Sequence, residues 1–360
     1  MVYFSPKESA KFGKQSYPER CPLKKPPKNG KQVDKAFHDA CLVGDMCQVG
    51  NILSGGKVEI NSRGGKYNRT PVMEAAHKGK KEVYDLLVDK GANASVVDDN
   101  DDNILHVGCS GGHIEMVKHV LSQHIVDINS RGHDGRTPVL KAAYWGYKEV
   151  FDLLVGKGAN ASSVDDNDDN ILHMACRKGH VKMIKHILSQ HIVDINSRGR
   201  HGRTPVMKAA YWGHKEVFDL LVGKGADASS VDDNDDNILH MACRKGHVKM
   251  IKHILSQHIA DINSRGRHGR TPVLKAAYCG RKEVFDFLVG EGANASSVDD
   301  DDDNVLHLAC KGGHVKMFVA AFDTRQTNGP FSSSIDYGHD TISDDSACAS
   351  QSDEYVLLVF

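Results

Sequence analysis

Tryptophan is nearly absent: the chain holds two, Trp145 and Trp212, and aromatics make up only 6% of its 360 residues. No run approaches the roughly 18 apolar residues of a membrane-spanning helix, so membrane insertion is not expected. The amino terminus, "MVYFSPKESAKFGK", lacks the apolar core of a secretory signal. Charge of one sign is not in excess either. Lys plus Arg number 46, Asp plus Glu 47, and the formal net charge of -1 exerts no global pull toward nucleic acid or anionic lipid. Nine cysteines are an odd number without paired spacing, which argues for a reducing compartment rather than a disulfide framework. There is no phosphate-cradling glycine loop, no nucleophile elbow and no lone Cys with a unique His and Asn partner, so neither catalysis nor a cofactor is expected.

What is abundant is repetition. Residues 137–203 and 204–270 differ at only four of 67 positions, and looser copies flank them at 70–136 and from 271 onward. Each 67-residue unit divides into an A half of 33 residues, opening "TPVLKAAYWG", and a B half of 34, opening "NILHMACRKG". Both halves predict a short helix, a second helix with apolar residues at helical spacing, and a turn rich in Gly, Asn and Asp. Thr or Asn at the opening is expected to cap the first helix, and Gly146 or Gly179 to end it. Two such helices cannot bury an apolar face alone, so stability must come from stacking neighbours.

The period and the T-P-L-H-x-A pattern resemble the ankyrin repeat. The A half keeps Thr137-Pro138, the B half keeps Leu172-His173 and Ala175, and "KGAN" and Gly179-His180 fit the same family. The resemblance implies an all-α ankyrin-repeat solenoid of stacked helix-turn-helix units with short β-hairpin-like fingers. It runs over 34–321, about nine repeats, with starts at Thr70, Asn103, Thr137, Asn170, Thr204, Asn237, Thr271 and Asn304 and an opening cap at 37–53. The last unit loses the pattern after Met317 and no polar capping repeat follows. An exposed apolar end is therefore expected, covered by the tail or by further repeats of a longer form. Residues 1–33, with eight Lys/Arg against two Glu, and the Ser/Asp-rich residues 322–360 have the composition of disordered tails. The closing Leu358-Val359-Phe360 fits an apolar C-terminal ligand of strand-adding domains.

Metal sites are not expected. The acidic turns at 165–170, 232–237 and 299–304 suggest calcium, but the sixth and twelfth positions counted from Asp165 are Asn170 and Cys176, not Gly and Glu. They read as exposed acidic hairpins. Cys109, Cys176, Cys243 and Cys310 recur every 67 residues near histidines, yet they occupy a small-residue packing position.

The resemblance also implies where partners bind: in such proteins the end of the first helix and the finger tips line a concave groove. The pair before the helix-ending Gly is Tyr144-Trp145, Tyr211-Trp212 and Tyr278-Cys279 in A halves, and Arg177-Lys178 and Arg244-Lys245 in B halves. In the first A half it is His77-Lys78, so aromatics are not a demand of the fold. With Arg200 and Arg203 on the fingers, these form a mixed-charge track with aromatic anchors, the composition enriched at protein-binding surfaces. The expected function is a non-catalytic, monomeric protein-interaction scaffold or adaptor, cytoplasmic or nuclear. Two other readings remain: a regulatory subunit of a kinase- or phosphatase-type assembly, and a stacking platform for single-stranded nucleic acid, against which the acidic fingers argue. Finally, "LSQHIVDIN" is similar to ankyrin-repeat sites hydroxylated by the asparaginyl hydroxylase of the oxygen-sensing pathway, and it places candidates at Asn61, Asn129, Asn196 and Asn263.

Overall fold

The computed structural model describes residues 30–328, which form two compact units, 30–126 and 127–328. The tail compositions noted above and the C-terminal ligand ending lie largely outside the described residues. Every described segment expected to pair helices does so: nine helix pairs follow one another, α1 (Gly30–Val43) to α18 (Val315–Asn328). The outermost helices start before residue 34 and run past residue 321.

The first unit holds three pairs: α1 with α2 (Met46–Ser54), α3 (Pro71–His77) with α4 (Lys81–Asp89), and α5 (Ile104–Gly111) with α6 (Ile114–Ser122). The second unit holds the remaining six. Its first helices are α7 (Pro138–Trp145), α9 (Ile171–Lys178), α11 (Pro205–Trp212), α13 (Ile238–Lys245), α15 (Pro272–Tyr278) and α17 (Val305–Lys311). They pack one on the next and carry the core on their apolar stripes, as Val206, Met207, Ala209 and Ala210 do on α11. The second helices close the layer behind them. In α8 (Lys148–Gly156) Val150, Phe151 and Leu154 are buried; in α10 (Val181–Ser189) it is Met183, Ile184 and Ile187. Across that layer His186 pairs with Asp152, which also takes Lys148 at 2.6 Å.

The two halves start their helices differently. In B halves the Asn does cap: Asn170 Oδ1 accepts the N–H groups of Leu172 and His173 at 3.0 and 3.2 Å, while the Asn170 N–H donates to His173 Nδ1 at 3.3 Å. In A halves the expected Thr cap is missing. Thr204 has extended backbone, no side-chain cap bond, and a buried hydroxyl without a partner. The Pro at the first helical position has no N–H to satisfy and a φ already suited to the helix, so the side chain is not needed.

The fingers are hairpin-shaped but carry no strands among the described residues. Gly199 N–H donates to the Arg203 carbonyl at 2.9 Å around a single 3₁₀ turn, Arg200–Gly202, with His201 at φ 56. Successive fingers are joined by one backbone bond, Asp233 N–H to the His201 carbonyl at 2.9 Å. At the far end α18 carries Val315, Phe318, Val319 and Phe322 exposed at helical spacing.

Candidate functional site

The Tyr-Trp slots are set by the glycine that ends each helix. Gly146 ends α7 at φ 77, and a Cβ there would lie 2.6 Å from the His180 ring. That ring, from the next repeat, donates through Nε2 to the Tyr144 carbonyl at 3.0 Å. The arrangement recurs one repeat on, where His214 Nε2 donates to the Arg177 carbonyl at 3.2 Å. Two repeats further the bond is kept by a different side chain: Arg281 Nε reaches the Arg244 carbonyl at 3.1 Å. The slots at Tyr144, Arg177 and Arg244 are thus tied to the repeat behind them, whereas at the Tyr211 slot the equivalent His247 Nε2 is buried without a hydrogen-bond partner.

Held this way, the side chains interleave into one row. Within each pair the rings meet edge to face, Tyr144–Trp145 and Tyr211–Trp212 both at 5.3 Å between centroids. The basic pair from the intervening B repeat covers them. Lys178 Nζ lies 4.9 Å from the Tyr144 centroid and 5.6 Å from that of Trp145. Arg177 sits between two A repeats, 5.8 Å from Tyr144 and 5.4 Å from Trp212. Lys245 repeats the Lys178 contact, 5.1 Å from Tyr211 and 5.3 Å from Trp212. Arg270 covers Tyr278 at 4.5 Å. Trp145 is 42% exposed, and Tyr144, Tyr211, Trp212 and Tyr278 are half-buried.

Not every basic residue singled out from sequence faces solvent. Arg203 is spent inside the stack: its Nε donates to Asp232 at 3.0 Å, with only 12% and 0% of the two side chains exposed. Arg244 is buried as well. Arg200 is exposed, and its N–H donates to Asp169 Oδ1 at 3.1 Å.

The acidic turns need a correction. They are not simply exposed hairpins, because the first and last Asp of each are buried. Asp165 Oδ1 accepts the N–H groups of Asn167 and Asp169 at 2.9 and 3.0 Å, which closes the turn. Asp169 receives Lys208 Nζ at 2.8 Å, and Asp236 receives Lys275 at 3.0 Å. Burial alone would raise the Asp169 carboxyl, but Lys208 and the surrounding donors outweigh it and hold the group below its ordinary range. The middle acids stay outside, where Asp166 pairs with Arg131 at 2.8 Å and Asp233 with Arg198 at 2.9 Å. Asp299, Asp301 and Asp303 bring carboxylate oxygens within 4.8 Å of one another, but Arg270 and Lys311 already answer that charge.

The sequence pattern hid the lysines. Lys141, Lys208 and Lys275 stand in mid-helix between two apolar residues and Ala-Ala, and all three are buried. A charged residue recurring every 67 positions on an apolar stripe was the available signal. Glu74 takes that place in the first unit. It lines a cleft of about 210 Å³ with His38, Asp39, Leu42, Gly65, Arg69, His77 and Lys78, and its carboxyl is raised by burial. Of the recurring cysteines Cys109, Cys176 and Cys243 are buried packing groups, and burial pushes the Cys176 and Cys243 thiols up, whereas Cys310 is exposed. His173 is buried too, and desolvation lowers it to about 4. Its Nδ1 accepts at the cap and its Nε2 donates to the Arg203 carbonyl at 3.0 Å, so the neutral ring serves two structural bonds.

The candidate hydroxylation residues form a second ladder. Asn129, Asn196 and Asn263 each accept through Oδ1 a backbone N–H of the following repeat at 2.8 Å, from Asn160, Asp227 and Asn294. Asn61 does the same with Asn93 in the first unit.

Helix pairs at this period, with turn-shaped fingers between them, define an all-helical repeat protein. The family model for ankyrin repeats matches residues 37–132, 72–165, 139–232 and 220–299, and the chain belongs to that family. Ankyrin repeats in general mediate protein–protein interaction. The chain is similar to the human transient receptor potential cation channel subfamily A member 1, 24% identical over 84% of this chain and 30% of that protein. It is also similar to human Rabankyrin-5, 29% identical over 46% of this chain and 14% of the relative. The Caenorhabditis elegans ankyrin repeat and KH domain-containing protein mask-1 is 31% identical over 44% of this chain and 6% of its own length. The chain spans less than a third of the length of each of these three relatives. No helix among the described residues is long and apolar enough to cross a membrane.

Proposed function

We propose that this chain is a non-catalytic intracellular scaffold that holds a segment of a partner protein along the row from Tyr144 to Tyr278. The observation that carries the reading is the row itself: two Tyr-Trp pairs alternating with basic pairs, the first of them tied in place by the next repeat, with Trp145 left 42% exposed. Trp145 alone retains about 100 Å² to bury, worth roughly 2.5 kcal/mol, and the half-buried Tyr144, Tyr211 and Trp212 add smaller shares. A stacking platform for nucleic acid is the weaker reading, since the ring faces are already covered by the chain's own cations.

The test is capture from a native-source lysate with the full chain and with the Trp145→Ala/Trp212→Ala variant, once circular dichroism shows equal helicity. A protein retained by the wild type and lost by the variant supports the reading. Identical captures refute it. A kinase or phosphatase activity lost together with the captured protein would make that partner an enzyme and this chain its regulatory subunit.

A further inference from the structure

The charges on the row do not balance locally. Arg203 and Arg270 are matched by buried Asp232 and Asp299, and Arg198 and Arg265 by Asp233 and Asp300 on the fingers. Arg177, Lys178 and Lys245 have no carboxylate partner among the described residues; aromatic rings are what they touch. A cation over a ring keeps its full charge, because the ring quadrupole attracts it without neutralising it. An incoming cation would meet the chain's own cations already lying over the rings. What the row presents outward is therefore positive charge at discrete points.

We propose that the partner segment is an acidic peptide of another protein, extended along the row, with its carboxylates in two clusters that meet Lys178 and Lys245. This rests on the reading of the row as a partner site. The spacing comes from the stack. Lys178 lies on α9 and Lys245 on α13, with α11 packed between them. Two interaxial steps of about 8–10 Å give roughly 16–20 Å, and an extended chain rises about 3.3 Å per residue, so the clusters stand about five or six residues apart. The residue between them crosses Trp212 and suits an apolar side chain. A continuous polyanion fits less well: duplex DNA carries a charge every ~1.7 Å of its axis, whereas the cations of the row stand at discrete points roughly 16–20 Å apart.

The experiment is fluorescence anisotropy with the full chain and four labelled probes. The first is a synthetic peptide with two Asp-Glu clusters six residues apart around a central Leu. The second has the same composition with the clusters adjacent. The third is the chain's own residues 336–354, and the fourth is single-stranded oligothymidine. The first peptide should bind tightest and weaken as salt rises. Lys178→Ala/Lys245→Ala should bind it about tenfold more weakly, at unchanged helicity. Because both tryptophans lie on the row, their emission should change on binding in the wild type and less in that variant.

Equal binding of the first two peptides overturns the spacing, and tighter binding of oligothymidine overturns the peptide. Tighter binding of residues 336–354 would make the occupant the chain itself. If no acidic peptide binds while the lysate capture still depends on Trp145 and Trp212, the partner chemistry is wrong and the site stands. If the capture does not depend on them, the site itself is wrong.

Discussion

Lys208 donates to Asp169 at 2.8 Å from one repeat to the next, and their side chains are only 10% and 5% exposed. Lys275 and Asp236 repeat the contact at 3.0 Å, each 2% exposed. Removing one partner leaves a buried charge without compensation, which typically costs about 3–5 kcal/mol. Asp169→Ala is therefore expected to lower the urea midpoint of unfolding sharply. Lys208→Met combined with Asp169→Asn should recover part of the loss, and a double mutant no better than Asp169→Ala would count against the pair as the cause.

The two kinds of helix start make opposite predictions. Asn170→Ala removes the acceptor for two backbone donors and should cost about 1 kcal/mol. Thr204→Val removes a buried hydroxyl that bonds to nothing, and stability should stay within about 0.5 kcal/mol or rise. Equal losses at the two sites would show that Thr204 caps its helix after all.

Acid should unfold this chain in a defined window. His173 is lowered to about 4 by burial, against 6.5 for an exposed ring. Between those values the unfolded chain binds more protons than the folded one, so stability falls as pH drops. The contribution is complete above pH 6.5 and lost as pH falls toward 4. Asp169, held low in the fold, adds loss in the same direction as it protonates. Urea midpoints measured from pH 7.5 down to 4.5 should decline, with a shallower slope in His173→Gln. A flat profile would contradict the buried neutral ring.

Trp145 is the more exposed of the two tryptophans. Acrylamide should quench the Trp212→Phe variant, which keeps Trp145, more strongly than Trp145→Phe. The reverse order would contradict the placement of the two rings.

The asparagine ladder is proposed as a substrate of the asparaginyl hydroxylase. Incubation should add the mass of one oxygen atom at Asn196, Asn129 or Asn263, mapped by peptide fragmentation. Because Asn196 Oδ1 holds the Asp227 N–H at 2.8 Å, Asn196→Ala should also cost about 1 kcal/mol. An unchanged intact mass after incubation would rule the modification out.

The helix pairs, their order and the family were legible in the sequence because period and apolar spacing are local properties. Gly146 and Gly179 ended their helices where expected, and both adopt left-handed backbone. The slot that carries Tyr-Trp was legible too, since its place in the repeat is a matter of counting. The sequence could not show which charges meet. Asp165, Asp166, Asp168 and Asp169 look alike as letters, yet the first and last are buried and paired while the middle two face water. Arg177 and Arg203 look alike too, but one lies between two rings and the other against a buried carboxylate. Those outcomes depend on the repeat that stacks behind, because burial decides whether an ionised side chain must find a partner. The sequence by itself determined a repeating helical array and the positions of its aromatic slots. The stacking of repeats decided which cations pair with buried carboxylates and which lie over the aromatic rings.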